Sequence, residues 1–202
     1  MGRLRPWLLV ARIYVLPTPT KKLAPVLDVD LSIRKSSFDE LRKAALEFPN
    51  LLNVDQMRSA FDRGDICVAA FHGGRVVGFA WGSLSTAPHV DGVQVKISPP
   101  YVYGYKSYVL PQFRGRHLSA TLIHVRDQIF RMHGRHTSVG FVETHNYASI
   151  AINKHMGSEL VGYAGYVSLF GRYCCFRTRG VRPHTFEFTR VLSVREAADR
   201  HG

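Results

Sequence analysis

The sequence predicts one mixed α/β domain, and three observations support that fold class. Strand-like and helix-like patterns follow one another in the order strand, two helices, three strands, helix, strand, helix and two strands. A hairpin signature lies in the first half of the chain. Of the 202 residues, 46% are apolar and 21% are charged, which is typical of a globular protein with an ordinary core.

Residues 1–27 are expected to form an N-terminal extension with one extra strand. Residues 11–16 (ARIYVL) are strand formers, and the run PTPTKK after them predicts a turn. The apolar stretch from Trp7 to Leu16 contains Arg12 and is too short to span a bilayer. Early arginines are typical of a targeting segment, but no small-residue cleavage site follows them.

The next elements are a strand and a capped helix. Residues Val29–Arg34 alternate between apolar and polar side chains, which predicts a half-buried strand. Ser36 or Ser37 then caps a helix over Phe38–Glu47, and Glu40 has the spacing to complete a capping box with Ser37.

A second helix and a β-hairpin follow. The helix is expected over Val54–Arg63. Two runs of strand formers, ICVAAFH and RVVGFAWGSL, flank Gly73-Gly74 and predict a tight hairpin in which Cys67 is a buried small hydrophobe. The polar stretch from Ser85 to Pro100 contains three prolines, so we expect a loop there, and it is a candidate flap over a functional site.

The most informative stretch is a strand, a basic turn and a helix. Tyr101–Val109 is rich in aromatic and β-branched residues and predicts a strand, and apolar residues at helical spacing predict a helix over Leu118–His133. The turn between them contains Arg114 and Arg116. Because a helix start presents unpaired N–H groups and partial positive charge, this turn is a candidate cradle for a phosphate or pyrophosphate. A basic turn without any ligand is the alternative.

The remaining elements complete the predicted domain, which we place at residues 28–180, with residues 181–202 as a C-terminal strand or tail. The pattern predicts a strand over Thr137–Glu143, a helix over Asn146–His155, and closing strands over Leu160–Phe170 and Tyr173–Thr178. From Ser193 onward the chain is polar, which predicts a frayed helix or a tail.

The net charge and the cysteine content limit the kinds of partner and the cellular compartment that we expect. A net charge of +12 favours a polyanionic partner, namely a phosphorylated cofactor, an acidic carrier protein, nucleic acid or anionic lipid, although a basic surface without a dedicated partner is also compatible with it. The three cysteines, Cys67, Cys174 and Cys175, support neither a disulfide framework nor a C-x-x-C metal site. We therefore expect no bound metal and a reduced, cytoplasmic setting.

The basic turn resembles the cofactor loop of the GCN5-related N-acetyltransferase (GNAT) family. That loop has the pattern Gln/Arg-x-x-Gly-x-Gly/Ala between a central strand and a long helix. In one register Arg114 takes the first position, and His117 and Ser119 stand where the glycines belong. In the other register Gln112 and Gly115 match, and His117 takes the last position.

The run ETHNYASIAINKHMG resembles a second GNAT motif, in which an Asn and a small residue precede Lys-x-x-Gly. Asn146, Ser149 and Gly157 stand at matching positions. The family often has a tyrosine acid where this chain has Asn153, whose amide cannot act as an acid of suitable pKa. The common Gly-Phe pair reads Gly157-Ser158 here.

The resemblance covers the chain from Val29 to Thr178 and implies a fold, a cofactor and an activity. The fold is the acyl-CoA N-acyltransferase fold, with a central mixed antiparallel and parallel sheet of about seven strands flanked by about four helices. The activity is transfer of an acetyl group from acetyl-CoA (coenzyme A) to a primary amine by direct attack. The implied cofactor-binding residues are Tyr108, Val109, Leu110, Gln112, Arg114, Gly115, Arg116, His117, Leu118, Ser119, Asn146, Ser149 and Asn153.

Catalytic and acceptor residues are predicted around the same cleft. Glu143, at a strand end, is the leading candidate for a general base, and His145 is the second, although a solvated or cap-forming carboxylate also explains Glu143. Trp81, Tyr101 and Tyr103 are candidate acceptor-binding residues, and core packing explains them equally well.

Two other functions compete with this one. The first is an acyltransferase whose donor is a longer acyl-CoA or an acidic acyl carrier protein, with the basic surface as the docking site. The second is a non-catalytic module that binds CoA or nucleic acid, although no base-reading motif is evident. The acceptor, a small-molecule or peptide amine, is not identified by the sequence, and a homodimer is one option for assembly.

Overall fold

The computed structural model describes residues 7–17, 30–170 and 172–191, and these residues form two β-sheets and four α-helices. The α-helices are α1 (Phe38–Glu47), α2 (Val54–Asp62), α3 (Leu118–Met132) and α4 (Tyr147–His155). The strands are β1 (Leu8–Pro17), β2 (Leu31–Lys35), β3 (Ile66–His72), β4 (Arg75–Ser83), β5 (Ala87–Val90), β6 (Val93–Lys96), β7 (Tyr101–Val109), β8 (Thr137–Glu143), β9 (Glu159–Leu169), β10 (Arg172–Arg177) and β11 (Glu187–Arg190).

The main sheet has eight strands in the order β10-β9-β1-β8-β7-β4-β3-β2. Neighbouring strands are antiparallel except β7 and β8, which are parallel. A hairpin-built half therefore meets the rest of the sheet at β7, and the predicted mixed α/β fold is confirmed. The N-terminal strand β1 lies inside this sheet between β8 and β9, where Ala11 and Ile13 are fully buried.

The stretch from Ser85 to Pro100, predicted to be a loop, instead contains a β-hairpin. Strands β5 and β6 pair around Gly92, whose φ of +83° suits a glycine, and β11 adds to β6 to form a second sheet of three strands. The sequence signal for a strand here was the alternation of apolar and polar residues around Val93 and Val95, which are both fully buried. The prolines were misleading because Pro88 lies in the edge strand β5, where a missing N–H is tolerated.

The capping box at the start of α1 is confirmed. The Ser37 hydroxyl accepts a hydrogen bond of 3.3 Å from the Glu40 amide, and the Glu40 carboxylate accepts one of 2.9 Å from the Ser37 amide. Two of the otherwise unpaired N–H groups at the helix start are thereby satisfied. The helix begins and ends at the predicted residues.

Helices cover both faces of the hairpin half of the main sheet. Alternate residues of β3 point to opposite faces, so Cys67 packs with α1 and α2, whereas Val68 packs with Leu122 of α3. Cys67 is fully buried, as predicted, and burial raises the pKa of its thiol to about 12. Helix α3 packs against β3, β4 and β7.

Some predictions concern residues outside this description. They are those for the first six residues, for the PTPTKK turn beyond Pro17 and for the tail from Ser193 onward. The domain limits at residues 27 and 180 stay predictions. Across residues 7–17, 30–170 and 172–191, no helix combines the length and the apolar character needed to cross a bilayer.

Candidate active site

The central feature of the site is an opening in the main sheet between β7 and β8. These parallel strands pair over only three positions, from Tyr101 opposite Thr137 to Tyr103 opposite Val139, and then separate. A Cβ at Gly140 would lie 3.0 Å from the Gly104 carbonyl oxygen, so the strands are in close contact where pairing stops. Beyond that point lies a cleft of about 380 Å³.

A β-bulge shapes the β7 side of the cleft. Trp81 pairs with Tyr105 and Ala80 pairs with Ser107, so Lys106 is an extra residue on β7. Its φ is +37°, a left-handed backbone conformation that is uncommon for a side chain of this kind. The bulge turns the last residues of β7 relative to the first ones, and Lys106 itself lines the cleft.

The end of β7 directs one main-chain amide toward the cleft. The Leu110 amide donates a hydrogen bond of 2.9 Å to the Val77 carbonyl, on the β4 side. Because neighbouring residues of a strand direct their N–H groups to opposite edges, the Val109 amide points to the β8 side. The Val109 carbonyl accepts a hydrogen bond of 3.0 Å from Arg114 Nε. Of the three predicted main-chain contacts, Val109 is thus the residue oriented to the opening.

The turn after β7 ends at an uncapped helix. The backbone is left-handed at Gly115 and at His117, with φ values of +78° and +57°, and α3 begins at Leu118. The first α-helical hydrogen bond runs from the Thr121 amide to the His117 carbonyl, so the amides of residues 118–120 precede it. The N-cap residue His117 makes no side-chain cap, and the first turn has no acidic residue. This helix start has the donors and the charge that an anion requires.

Basic and aromatic side chains surround that helix start. The Arg114 guanidinium lies 5.7 Å from the Tyr108 ring centroid, and the Arg116 guanidinium lies 6.0 Å from that of Phe113. The exposed ring of His117 stacks on that of His155, at the end of α4, with 5.1 Å between centroids. Gln112 is exposed in the short 3₁₀ turn between β7 and Arg114.

The start of α4 forms the opposite wall of the cleft. Asn146 is the N-cap, and its Oδ1 accepts a hydrogen bond of 3.1 Å from the Ser149 amide. Asn153 Nδ2 donates one of 2.9 Å to the Ser149 carbonyl. All three residues line the cleft, and the two asparagines use part of their hydrogen-bonding capacity to hold the helix.

The two predicted catalytic residues are neighbours at the rim of the cleft. His145 Nε2 lies 3.1 Å from Glu143 Oε2, and both side chains are accessible, with exposed fractions of 78% and 43%. Glu143 lines the cleft at the end of β8.

The predicted acceptor-binding residues differ in their accessibility. Tyr103 is 3% exposed overall and lines the cleft floor, whereas Trp81 is 2% exposed and packs between Phe61 and Tyr105 in the core. Tyr101 lies at the paired end of β7, where its hydroxyl is 3.0 Å from His184 Nδ1. Of the three, Tyr103 is the one that the structure brings to the cleft.

The chain matches the model of the acetyltransferase (GNAT) family over residues 35–158, more than half of its length. It belongs to that family. The matched region contains the sheet opening, the helix start and the two motifs that carried the resemblance. No curated protein sequence matches the chain.

Solved structures share the fold at low identity. A Drosophila protein has a TM-score of 0.57 and 15% identity over 81% of this chain and 52% of its own. A GCN5-related N-acetyltransferase from Kribbella flavida has a TM-score of 0.51 and 14% identity over 76% of this chain and 56% of its own. This GNAT chain thus spans about half the length of these two proteins. AAC(6')-Iy, in complex with the bisubstrate analogue CoA-S-monomethyl-acetylneamine, has a TM-score of 0.51 and 19% identity over 74% of this chain and 98% of its own.

Sequence reasoning missed His89 on β5, a functional candidate of this GNAT chain. Its ring lines the cleft and lies within 5.8 Å of the centroids of three aromatic rings, those of Phe141, Tyr166 and Phe188. Burial lowers the pKa of His89 to about 4, so the imidazole is neutral at physiological pH. The residue was overlooked because its strand was assigned to a loop.

A polar pair behind the cleft was also missed. The Tyr105 hydroxyl donates a hydrogen bond of 2.7 Å to Asp65 Oδ2, which also pairs with Arg63 Nη2 at 2.6 Å. Burial, followed by the charge of Asp65, raises the pKa of Tyr105, so the phenol keeps its proton. Tyr105 is therefore held as a fixed aromatic wall of the cleft rather than as an acid.

Proposed function

We propose that the protein transfers an acetyl group from acetyl-CoA to a primary amine of a small molecule, by direct attack of the amine on the thioester. The single observation that carries this proposal is that β7, after it separates from β8, leads through a short turn into the uncapped start of α3. A cleft between strands suits an extended amide-containing arm, and the helix start suits a diphosphate. Acetyl-CoA, when bound, supplies an activated acyl group.

The residues at the helix start fit the charged part of that molecule. The amides of Leu118 and Ser119 and the guanidinium groups of Arg114 and Arg116 provide donors for phosphate oxygens. Because Arg114 Nε is already bonded to the Val109 carbonyl, its Nη groups are the ones that we assign to phosphate.

The Val109 amide is the donor that we assign to the reacting carbonyl. It lies in a rigid strand, so its direction is set before a ligand binds, and a fixed N–H stabilises the negative charge that develops on a carbonyl oxygen during attack. The hydrogen bond from Arg114 to the Val109 carbonyl holds the same peptide segment in place.

Two groups are positioned to accept the proton that the amine must lose. Glu143 is our first choice because it is accessible at the cleft rim and has His145 beside it. His89 is the second, since it is neutral and lines the cleft from the other wall. Asn153 holds Ser149 and offers no acid, so we expect the CoA thiol to leave without a protein proton donor at that position.

Release of free thiol from acetyl-CoA, measured across a panel of primary amines, tests the proposal. An amine-dependent rate supports it. If turnover occurs only with a longer acyl-CoA or with acyl carrier protein, the donor is that molecule and not acetyl-CoA. If the protein binds nucleic acid in a salt-sensitive way and releases no thiol, it is a binding module and not an acetyltransferase. The AAC(6')-Iy neighbour, described as an aminoglycoside N-acetyltransferase, is the reason to begin the panel with small aminated sugars.

The base is tested by Glu143→Gln, which keeps the shape of the side chain and removes its basicity. We expect kcat/KM to fall about 100-fold. Glu159→Gln, an exposed carboxylate on β9, is the matched control. If Glu143→Gln has the wild-type rate and His89→Phe loses activity, the general base is His89 and not Glu143.

A further inference from the structure

A buried arginine lies beneath the point where β7 and β8 separate. Arg126 is on α3, is only 4% exposed, and borders the cleft together with Gly104 and Ser138. A charged side chain buried to this extent is rare unless its donors are paired.

The guanidinium of Arg126 connects three elements of the fold. Its Nε and Nη2 donate to Asp127 Oδ1 at 2.8 and 2.7 Å, on the same helix. Nη2 also donates to the Ser138 hydroxyl of β8 at 2.9 Å, and that hydroxyl donates to Asp127 Oδ1 at 2.9 Å. Nη1 donates to the Trp81 carbonyl of β4 at 3.0 Å. One planar group thus fixes α3, β4 and β8 relative to one another.

The strands above Arg126 leave room for it at two glycines. A Cβ at Gly104 of β7 would lie 2.7 and 2.8 Å from the two Nη atoms, and a Cβ at Gly82 of β4 would lie 3.0 Å from Arg126 Cδ. Gly104 directly follows Tyr103, the last residue of β7 that pairs with β8. The guanidinium therefore lies directly against the backbone of the branch point.

The carbonyl that Arg126 contacts belongs to the bulge. The pairing of β4 with β7 shifts between Ala80 and Trp81, opposite the extra residue Lys106. A bulge disrupts the ladder locally, so a carbonyl there requires another donor, and Arg126 provides one to Trp81. A buried ion pair is weak evidence for stability, because apolar residues of similar volume stabilise a fold as well or better. The contacts of Arg126 instead favour a role in positioning the strands around it.

We propose that Arg126 is a positioning residue that sets the separation of β7 and β8 and the direction of the bulged end of β7. This inference rests on the proposed function, because the group it positions is the Val109 amide that faces the thioester. The helix start that holds the diphosphate is a separate part of the site, so loss of the guanidinium affects the chemical step more than cofactor affinity.

The test compares Arg126→Lys with Arg131→Lys, a matched change on the same helix. Lysine keeps the charge but cannot bridge Asp127, Ser138 and Trp81 with one planar group. We expect kcat to fall about 100-fold, as for a misplacement of the reacting groups by about 1 Å, while CoA affinity by calorimetry changes less than about threefold. Ser138→Ala, which removes only the link to β8, is the milder second variant, and we expect a severalfold loss of kcat.

Hydrogen exchange of β7 separates failure of this inference from failure of the proposed function. We expect faster exchange over residues 104–109 in Arg126→Lys than in the wild-type protein, with α1 unchanged. Unchanged exchange there, or wild-type kcat in both Arg126→Lys and Ser138→Ala, overturns the inference. If the wild-type protein binds no CoA and releases no thiol while β7 exchange still rises in the variant, the proposed function fails and the positioning role stands.

Discussion

Replacing His89 with phenylalanine should remove the part of the acid sensitivity of this protein that comes from one buried imidazole. His89 lies among Phe141, Tyr166 and Phe188, with ring centroids 5.0, 5.8 and 5.3 Å away. Its Nε2 is 3.4 Å from the Tyr166 hydroxyl. A phenylalanine ring matches this aromatic environment and carries no proton, so the variant isolates the titration of one buried imidazole.

The magnitude follows from the pKa of His89, which burial lowers from its ordinary value of 6.5 to about 4. Between these two values the unfolded chain binds a proton at this residue and the folded chain does not. Stability is therefore present above the unfolded pKa and is lost as pH falls toward the folded pKa. From about pH 7 to about pH 5 the loss is about 2 kcal/mol, and it reaches ~3 kcal/mol once both states are protonated.

The assay is urea unfolding at several pH values for the wild-type protein, for His89→Phe and for His136→Phe, a change at an exposed histidine. Carboxylates titrate in all three proteins, so their contribution cancels in the difference between curves. The gap between the wild-type protein and His89→Phe should change by about 2 kcal/mol over this pH range. A change below about 0.5 kcal/mol would show that the imidazole is protonated in the folded protein and would refute the reasoning.

Three further changes test other parts of the fold and site. Gly104→Ala should lower the free energy of unfolding by about 1–3 kcal/mol in urea, because its Cβ would lie within 2.8 Å of the Arg126 guanidinium; an unchanged midpoint would contradict that packing. Ser37→Ala should cost about 1 kcal/mol by the same measurement through loss of the helix cap, and no loss would mean that the cap is replaced by water. Arg114→Ala should raise the KM for acetyl-CoA about tenfold, because a charged donor to phosphate is removed, and an unchanged KM would exclude the phosphate role.

Elements with strong local signals were predicted at their observed limits. The helix Phe38–Glu47 begins at a capping box, and the strand Ile66–His72 ends at a two-glycine turn. The strands Tyr101–Val109 and Thr137–Glu143 also match their predictions at both ends. In each case the residues that define the limits lie within a few positions of the element itself, so no knowledge of distant contacts was required.

Elements whose identity depends on distant partners were harder to predict. The extra strand near the N-terminus was expected, but its place between β8 and β9 follows from pairing with residues more than one hundred positions away. The β5 and β6 strands are short, and β6 gains its second partner only from β11 near the end of the chain. Pairing over such separations leaves little trace in the local pattern, and the position of His89 was lost with it.

The site shows the same division between local and distant information. The helix start after Arg114 was visible in the sequence because a strand, a basic turn and a helix are contiguous. The sheet opening was reached only through family resemblance, since nothing in the local pattern of β7 or β8 shows where their pairing stops. Gly104, Gly140 and Arg126 lie at that limit, and each of these residue types has an ordinary explanation when it is considered alone.

These three residues also lie at the closed end of the opening. Separated strands leave backbone groups that need other partners, and an interior provides few of them. At the branch point, Arg126 donates to the Ser138 hydroxyl of β8 and lies against Gly104 of β7, so protein groups occupy that end of the opening. Toward α3, the Val109 amide and the first amides of the helix pair with no strand among the described residues. The side nearest the helix start is therefore where we expect an extended ligand with a charged end to pair with both the sheet and the helix.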